Sequence, residues 1–463
     1  MSIDLEIDIL KRSMEKIEKN EGKKMLMNPL NKKIILIVEK FIEDRGLICY
    51  GGTAINNILP LKDQFYNKDI EFPDYDFFSK NALNDAKELS EIYAKEGFKN
   101  VLAKAGVHTG TYKVFVNYIP VADLTQINSI IFDKIKTKSI KKKGILYCDP
   151  NFLRMSMYLE LSRPKGDVTR WEKVYKRLNL LNKNYPLKNK ICDTNNYRNN
   201  FLNANNILNK KYKKAFNIIR DELIDQKVLF FGGYASYIYS KKMSKNQKIK
   251  YSKTPDFDVL SIKPYDTVLK IKKSLLEKGH DASIKVHPSY GENVGIHYEL
   301  VVSNNTMLYV YSTSSCYNYN NIRYGDKLVR IATIETILSL YLMFIYINDK
   351  HYDEEKLLCM SEYLLNLQSK HKLSRKGIMK RFPINCYGES QTFIDILTEK
   401  DNKYNTLKDD KTEEGKKKIE RYFLKYDPNI MNKNKTKKKN KTKKKNKTKK
   451  KNNTKKKNKT KKK

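Results

Sequence analysis

Two stretches of this chain carry the same punctuation at nearly the same interval. Gly51-Gly52-Thr53 is followed by Asp74-Tyr75-Asp76, and Gly232-Gly233-Tyr234 is followed by Asp256-Phe257-Asp258. Gly51 and Gly232 lie 181 residues apart, and Asp74 and Asp256 lie 182 apart. A near-constant offset over two landmarks marks a duplicated unit. The 463 residues exceed what one hydrophobic core sustains, so two domains built on one plan are expected.

Each unit opens as a short apolar strand, a Gly-Gly turn and a helix start. Glycines let a backbone approach a ligand closely. The free N–H groups of a helix start favour a phosphate, and the Thr53 hydroxyl can add a donor. Asp74 and Asp76 sit two apart, so on a strand they share a face and repel unless a cation lies between them. Further on, Tyr112 to Leu124 is a β-branched and aromatic run carrying one acid, Asp123. Taken alone, the Asp pair reads as solvated loop carboxylates, the Gly-Gly turn as an ordinary tight connection, and Asp123 equally as a strand-end turn carboxylate; Gly-Gly-Thr followed by Asp-x-Asp is the specific signal.

This set resembles the nucleotidyltransferase superfamily of the DNA polymerase β type. The resemblance implies that Gly51, Gly52 and Thr53 take the triphosphate. It implies that Asp74, Asp76 and Asp123 hold two Mg²⁺ or Mn²⁺ ions and that Asp123 helps deprotonate a 3′-hydroxyl. Two longer phrases narrow it: LRMSMYLELSRPKGDVTRWEKVYKRL (residues 153–178) and MKRFPINCYGE (residues 379–389) resemble poly(A) polymerase catalytic subunits of large nucleocytoplasmic DNA viruses, mimivirus-like and, more distantly, poxvirus-like. The family implies template-independent addition of adenylates from ATP to an RNA 3′ end, by one live and one degenerate domain. Arg154 is then a candidate triphosphate contact, a buried structural role being the alternative. A homodimer or a viral processivity or capping factor are candidate partners, and virion and host cytoplasm (the viral factory) the implied location. The rival readings are a CCA-adding or oligonucleotide-signal synthetase, and a noncatalytic RNA-binding subunit.

The second unit departs where chemistry matters. Tyr234 replaces Thr53, and pairing Asn305 with Asn117 puts Tyr311 where Asp123 stands. Glu299 could complete a second triad only if that register is wrong. The first copy is therefore expected to be active. Phe152-Leu153-Arg154 and Leu328-Val329-Arg330 read as matching helix starts. The expected fold is mixed α/β, with a helical segment at 1–45, a catalytic domain at 46–190, a degenerate domain with C-terminal helices at 191–425 and a basic tail at 426–463.

The formal charge of +41 points to a polyanionic partner. The repeats from Asn432 to Lys463 hold twenty lysines and no acid, leaving +21 on the rest. With no apolar residue to bury, that tail is expected to be disordered. The six cysteines lack CxxC spacing and read as reduced thiols of an intracellular protein. The N-terminus reads as lacking a secretory signal, and the run from Ile337 to Ile347 is too short to span a bilayer, which predicts no membrane association. Lys141 to Lys143 read as a basic loop, and Ile337 and its neighbours as a helix that either completes the second domain or forms a subunit interface.

Overall fold

The computed structural model describes residues 3–67, 70–187, 206–248, 255–291, 293–347 and 351–430. The lysine repeats and Cys192 lie outside them. Two helices lead in, α1 (Ile3–Met27) and α2 (Pro29–Arg45). Ile34, Val38, Phe41 and Ile42 form the buried stripe of α2. Asn28 caps its start, and Gly46 ends it at φ +57, a left-handed turn that suits glycine.

The first unit runs β1 (Ile48–Tyr50), α3 (Gly51–Ile58), β2 (Tyr75–Ser79), α4 (Ala82–Lys95), β3 (Val101–Ala105), β4 (Thr111–Val116), β5 (Ile119–Gln126), α5 (Ser129–Lys138), β6 (Ile140–Lys142), β7 (Ile145–Tyr147), α6 (Pro150–Leu161) and α7 (Trp171–Asn184). The second runs α8 (Asn206–Asp225), β8 (Leu229–Phe230), α9 (Gly233–Ser240), α10 (Lys245–Lys248), β9 (Phe257–Ser261), α11 (Pro264–Glu277), β10 (Ala282–His287), β11 (His297–Val302), β12 (Asn305–Ser312), β13 (Tyr317–Tyr324), β14 (Lys327–Ala332), α12 (Ile334–Phe344) and α13 (Glu354–Lys370). The chain closes with β15 (Cys386–Tyr387), α14 (Phe393–Leu407), α15 (Glu413–Phe423) and β16 (Lys425–Tyr426).

The duplication extends to every strand of the repeated unit. One sheet is ordered β16-β3-β4-β5-β2-β1-β7-β6, the other β10-β11-β12-β9-β8-β14-β13-β15. Matching strands pair in the same sense: β2 with β5 and β9 with β12 parallel, β1 with β2 and β8 with β9 antiparallel. Only the added edge strands differ.

The hairpin carrying the third site position shows why one expected register fails. The run Tyr112 to Leu124 is not one strand but β4 and β5, joined at Asn117 and Tyr118 with φ of 50° and 67°. The second copy turns at Ser303 and Asn304, φ 49° and 65°, and both hairpins shift register at the same place, Val114/Phe115 and Leu300/Val301. Two-residue hairpins require such positive φ, and asparagine tolerates it. Asn117 therefore matches Ser303, not Asn305. Asp123 matches Tyr309, and Tyr311 lies two residues beyond.

Other expectations are corrected by packing. Arg330 sits inside β14, whereas Arg154 lies on α6; the true counterparts are the helix caps Asp149 and Thr333. Lys141 and Lys142 belong to β6, which pairs with β7. Helix α12 is buried on every side and packs on α6, with the Tyr346 hydroxyl donating to Asp149 at 2.6 Å, so it joins the two domains within the chain. The C-terminal segment returns to the first domain rather than ending the second. There β16 pairs with β3, the Tyr112 hydroxyl donates to the Arg421 carbonyl at 2.9 Å, and Lys87 pairs with Glu420. Cys316 and Cys386 form a disulfide across paired strands, and Cys359 is also disulfide-bonded; Cys49 and Cys148 are free and buried. A 70-residue separation hides the Cys316–Cys386 pairing in sequence, because strand β15 brings the two together only on folding.

Candidate active site

Parallel pairing of β2 with β5 sets Asp76 directly opposite Asp123, and antiparallel pairing with β1 sets Tyr50 opposite Asp76. Asp74 precedes β2 by one residue and is exposed, Asp76 half-buried. Burial raises the Asp76 carboxyl to about 7, and the charges of Asp74 and Asp123 add to it while Lys113 and Arg170 oppose it. Asp74, though its side chain reaches solvent, is raised by partial desolvation first and then by Asp123, with Lys113 opposing. Three carboxylates repelling one another at the edge of a buried region make a site short of positive charge.

The glycines are required by contact. Gly51 opens α3 at φ +71, and a Cβ there would stand 2.5 Å from Asp76 Oδ2. A Cβ on Gly52 would run into the Tyr66 hydroxyl and stand 2.9 Å from Arg177 Nη1. The helix start therefore faces an acid on one side and a guanidinium on the other. Thr53 is buried, and its hydroxyl donates to the Asp74 carbonyl at 2.6 Å. In this state it ties the glycine turn to the aspartate strand instead of offering a free donor.

Arg154 is not brought into the site. It is 1% exposed; Nε donates to Asn182 Oδ1 at 2.7 Å, and the two Nη groups donate to Asn151 and to the Tyr185 carbonyl. Its guanidinium is used up fastening α6 to α7. Arg177, one helix later, is the cation beside the glycines. It donates to the Tyr66 hydroxyl at 2.7 Å and lies over the Phe65 ring at 4.6 Å. Asn56 holds that loop by accepting from the Phe65 and Tyr66 amides at 2.8 and 2.9 Å. Arg177 and Asn56 carry a weak sequence signal, the basic second helix and the residue ending GGTAIN.

Lys113 was also missed. It faces Asp123 across the β4–β5 hairpin, and its ammonium pairs with that carboxylate. Among the described residues no three His, Cys, Asp or Glu side chains converge tightly enough to hold a metal ion as they stand. The donor set nonetheless fits a hard divalent cation: three carboxylates, no sulfur or imidazole, with a lysine ammonium standing where positive charge is needed.

The second copy is filled. Asp258 is half-buried; desolvation and Asp256 push its carboxyl well up, and it accepts from the Gly233 amide at 3.2 Å. A Cβ on Gly232 would collide with it. Its own carboxylate thus covers the start of α9, where an incoming phosphate would lie. Tyr309 faces Asp258 in the place of Asp123, and Tyr234 packs among Phe216, Phe230 and Phe257. Glu299 lies on β11, matching Lys113, and bonds to His287 at 2.9 Å and Thr306 at 2.5 Å. It does not complete a triad.

The two phrases singled out in sequence meet in space. Phe382 lies 5.9 Å from the Trp171 ring and 5.8 Å from Tyr175, and Arg381 forms a buried pair with Glu335 at 2.8 Å. The Trp171 indole N–H donates to the Glu160 carbonyl at 3.0 Å. These residues join the domains.

Residues 36–167 match the family model described as poly(A) polymerase catalytic subunit. A protein of African swine fever virus (isolate Pig/Kenya/KEN-50/1950) described as "Putative poly(A) polymerase catalytic subunit" is 36% identical over 157 residues, 33% of this chain and 33% of that one. One of the same description from Acanthamoeba polyphaga mimivirus is 34% identical over 159 residues, 34% of this chain and 27% of that one. The chain spans about a third of the length of the curated relatives it matches. The crystal structure of the Megavirus polyadenylate synthase superposes with a TM-score of 0.75 at 21% identity, covering 88% of this chain and 84% of that one, which is a likeness of fold.

Proposed function

We propose that the chain is a viral poly(A) polymerase, adding AMP from ATP to the 3′ end of RNA with its first domain. One observation carries this: Asp74, Asp76 and Asp123 stand together beside the Gly51-Gly52 helix start, inside the segment that matches the catalytic-subunit family. The triphosphate lies along the start of α3, with Arg177 beside Gly52 neutralising phosphate charge. The RNA 3′-hydroxyl comes up beside Asp123, which takes its proton. Attack on the α-phosphorus forms the new P–O bond and breaks the bond to pyrophosphate. Two divalent ions held by Asp74, Asp76 and Asp123, when bound, supply the charge neutralisation that phosphoryl transfer needs. Ions held there would take over the neutralisation that Lys113 gives Asp123 in this structure. The Lys-rich tail holds RNA through phosphates, and the protein acts in the infected cell. Among the described residues, no helix is long and apolar enough to cross a membrane.

The test is extension of a 5′-labelled RNA with each single NTP and Mg²⁺ or Mn²⁺, for the parent, Asp74→Ala/Asp76→Ala and Asp256→Ala/Asp258→Ala. Long ladders with ATP that vanish only in the first variant support the reading. Short ladders of fixed composition would point to a CCA-adding activity, and salt-dependent binding with no extension to a binding subunit.

A further inference from the structure

The proposed reaction uses one face of the first domain and leaves a cleft on the second unexplained. It measures about 500 Å³ and lies between the start of α8 and the turn from α11 to β10. Lys210, Lys211, Lys213, Lys214 and Lys278 line it, with His280, and no acid does. None of the five ammonium groups is ion-paired among the described residues, whereas Lys113, Lys138 and Lys183 each hold a carboxylate.

Two features separate this cleft from an ordinary solvated basic face. The carbonyls closing α11 are satisfied within the turn: Leu275 accepts from the Lys278 and His280 amides, and Leu276 from that of Gly279. The lysines are therefore not capping a helix end. His280 lines the same cleft, is 5% exposed, and its buried Nδ1 has no hydrogen-bond partner among the described residues. Burial and the neighbouring Lys211 and Lys214 lower its pKa, keeping the ring neutral. A buried polar atom without a partner costs free energy unless something fills the vacancy. The orientation is fixed by packing, since Ala215, Phe216, Ile219 and Leu223 bury the opposite side of α8.

We infer that this cleft binds the phosphodiester backbone of single-stranded RNA, as an anchor on the noncatalytic domain separate from the reacting 3′ end. The lysines supply charge, and His280 donates one hydrogen bond to a phosphate oxygen. Recognition is through phosphates and independent of base sequence. The inference rests on the poly(A) polymerase reading for its choice of RNA.

The experiment uses the full chain and a 5′-fluorescein-labelled oligoadenylate, with anisotropy read over a KCl series. Lys211→Gln/Lys213→Gln/Lys214→Gln/Lys278→Gln should lower the slope of log Kd against log salt by roughly 2–3, about 0.7 for each single-strand phosphate contact. His280→Gln should weaken binding at every salt concentration and leave the slope unchanged. Inorganic polyphosphate, tested as competitor, should displace the oligonucleotide from the parent, since the cleft reads phosphates. Unchanged binding in both variants overturns the inference. So does a lysine variant that loses polyphosphate but not RNA. Extension with ATP is measured alongside. Binding through the cleft with no extension removes the polymerase reading and leaves the site; extension with parental salt dependence in the lysine variant removes the site and leaves the polymerase.

Discussion

The two sheets share seven strands in one order and one set of pairings, yet only the first sets an acid opposite the second aspartate of its Asp-x-Asp pair. In the first, Asp76 faces Asp123, and Gly51 opens α3 at φ +71. In the second, Asp258 faces Tyr309, the matching glycine has φ −54, and the carboxylate folds onto the start of α9. The difference teaches that the fold tolerates loss of its chemistry because the same positions can be satisfied internally. A helix start that would hold a phosphate holds an aspartate, and the place of Asp123 is taken by the Tyr309 ring, which packs against His297 and Tyr311. Tyr234 extends that filling, burying a ring against Phe257 where the first copy has a small hydroxyl.

The sharpest way to break the comparison is to add one methyl group to each glycine turn. Gly51→Ala forces a left-handed backbone on alanine and drives its Cβ onto Asp76. It should lower kcat by about 10²-fold or more, the scale of losing one transition-state contact, with a modest fall in melting temperature. Gly232→Ala meets Asp258 and should destabilise the protein while leaving kcat per folded molecule near the parental value. Equal loss of kcat in both, measured on folded fractions, would mean the second copy takes part in catalysis.

Restoring the missing acid is the next step. Tyr309→Asp rebuilds the triad by residue type, but it sets a third carboxylate beside two that already repel and removes a buried ring. It should cost about 3 kcal/mol, the scale of a large buried aromatic lost or a charge left uncompensated. It should give no extension activity in an Asp74→Ala/Asp76→Ala background, because Asp258 still covers the helix start. Denaturant melts and primer extension check the two halves separately.

The smallest effect concerns pH. The folded Asp258 carboxyl titrates well above its ordinary value of 3.8 because it is desolvated beside Asp256. The folded state therefore holds a proton that the unfolded chain releases more readily. That contribution is full below the ordinary carboxylate range and is lost as pH rises towards neutrality and above. Asp258→Asn should flatten this dependence: little change in melting temperature near pH 4, and a gain of a few degrees near pH 8. A gain of equal size at both pH values would show that Asp258 is neutral throughout, or is compensated when charged.

Much of the frame was legible. Gly-Gly and Asp-x-Asp at a constant offset disclosed the duplication, and the apolar spacing of Ile34, Val38, Phe41 and Ile42 disclosed α2 and its buried face. Asp76 lies on a strand as expected, whereas Asp74 stands one residue before β2 and Asp123 lies inside β5. The illegible parts share one cause: they depend on partners distant in the chain. Lys113 gains meaning only opposite Asp123, Arg177 only where α7 crosses Gly52, and the Cys316–Cys386 bond only once β15 adds to the second sheet. Arg154 stayed open between a phosphate contact and a buried structural role because an arginine in a helix reads the same whether its fork meets a phosphate or, as here, Asn151, Asn182 and the Tyr185 carbonyl. Tyr311 was misassigned because Asn305, the first residue of β12, was matched to Asn117, a turn residue, and the resulting shift of two keeps every side chain on its face.

By itself, then, the amino-acid sequence determined that this chain repeats one strand–turn–helix unit, that its first copy keeps three acids and small turn residues, and that it carries a large excess of positive charge. These follow from local chemistry: φ preference, side-chain alternation and charge. Only the tertiary structure decided which acids face one another, which cations stand beside them, and that the second copy closes on its own aspartate. Those are properties of strand register and helix crossing, which arise when segments far apart in the chain bury their apolar faces together.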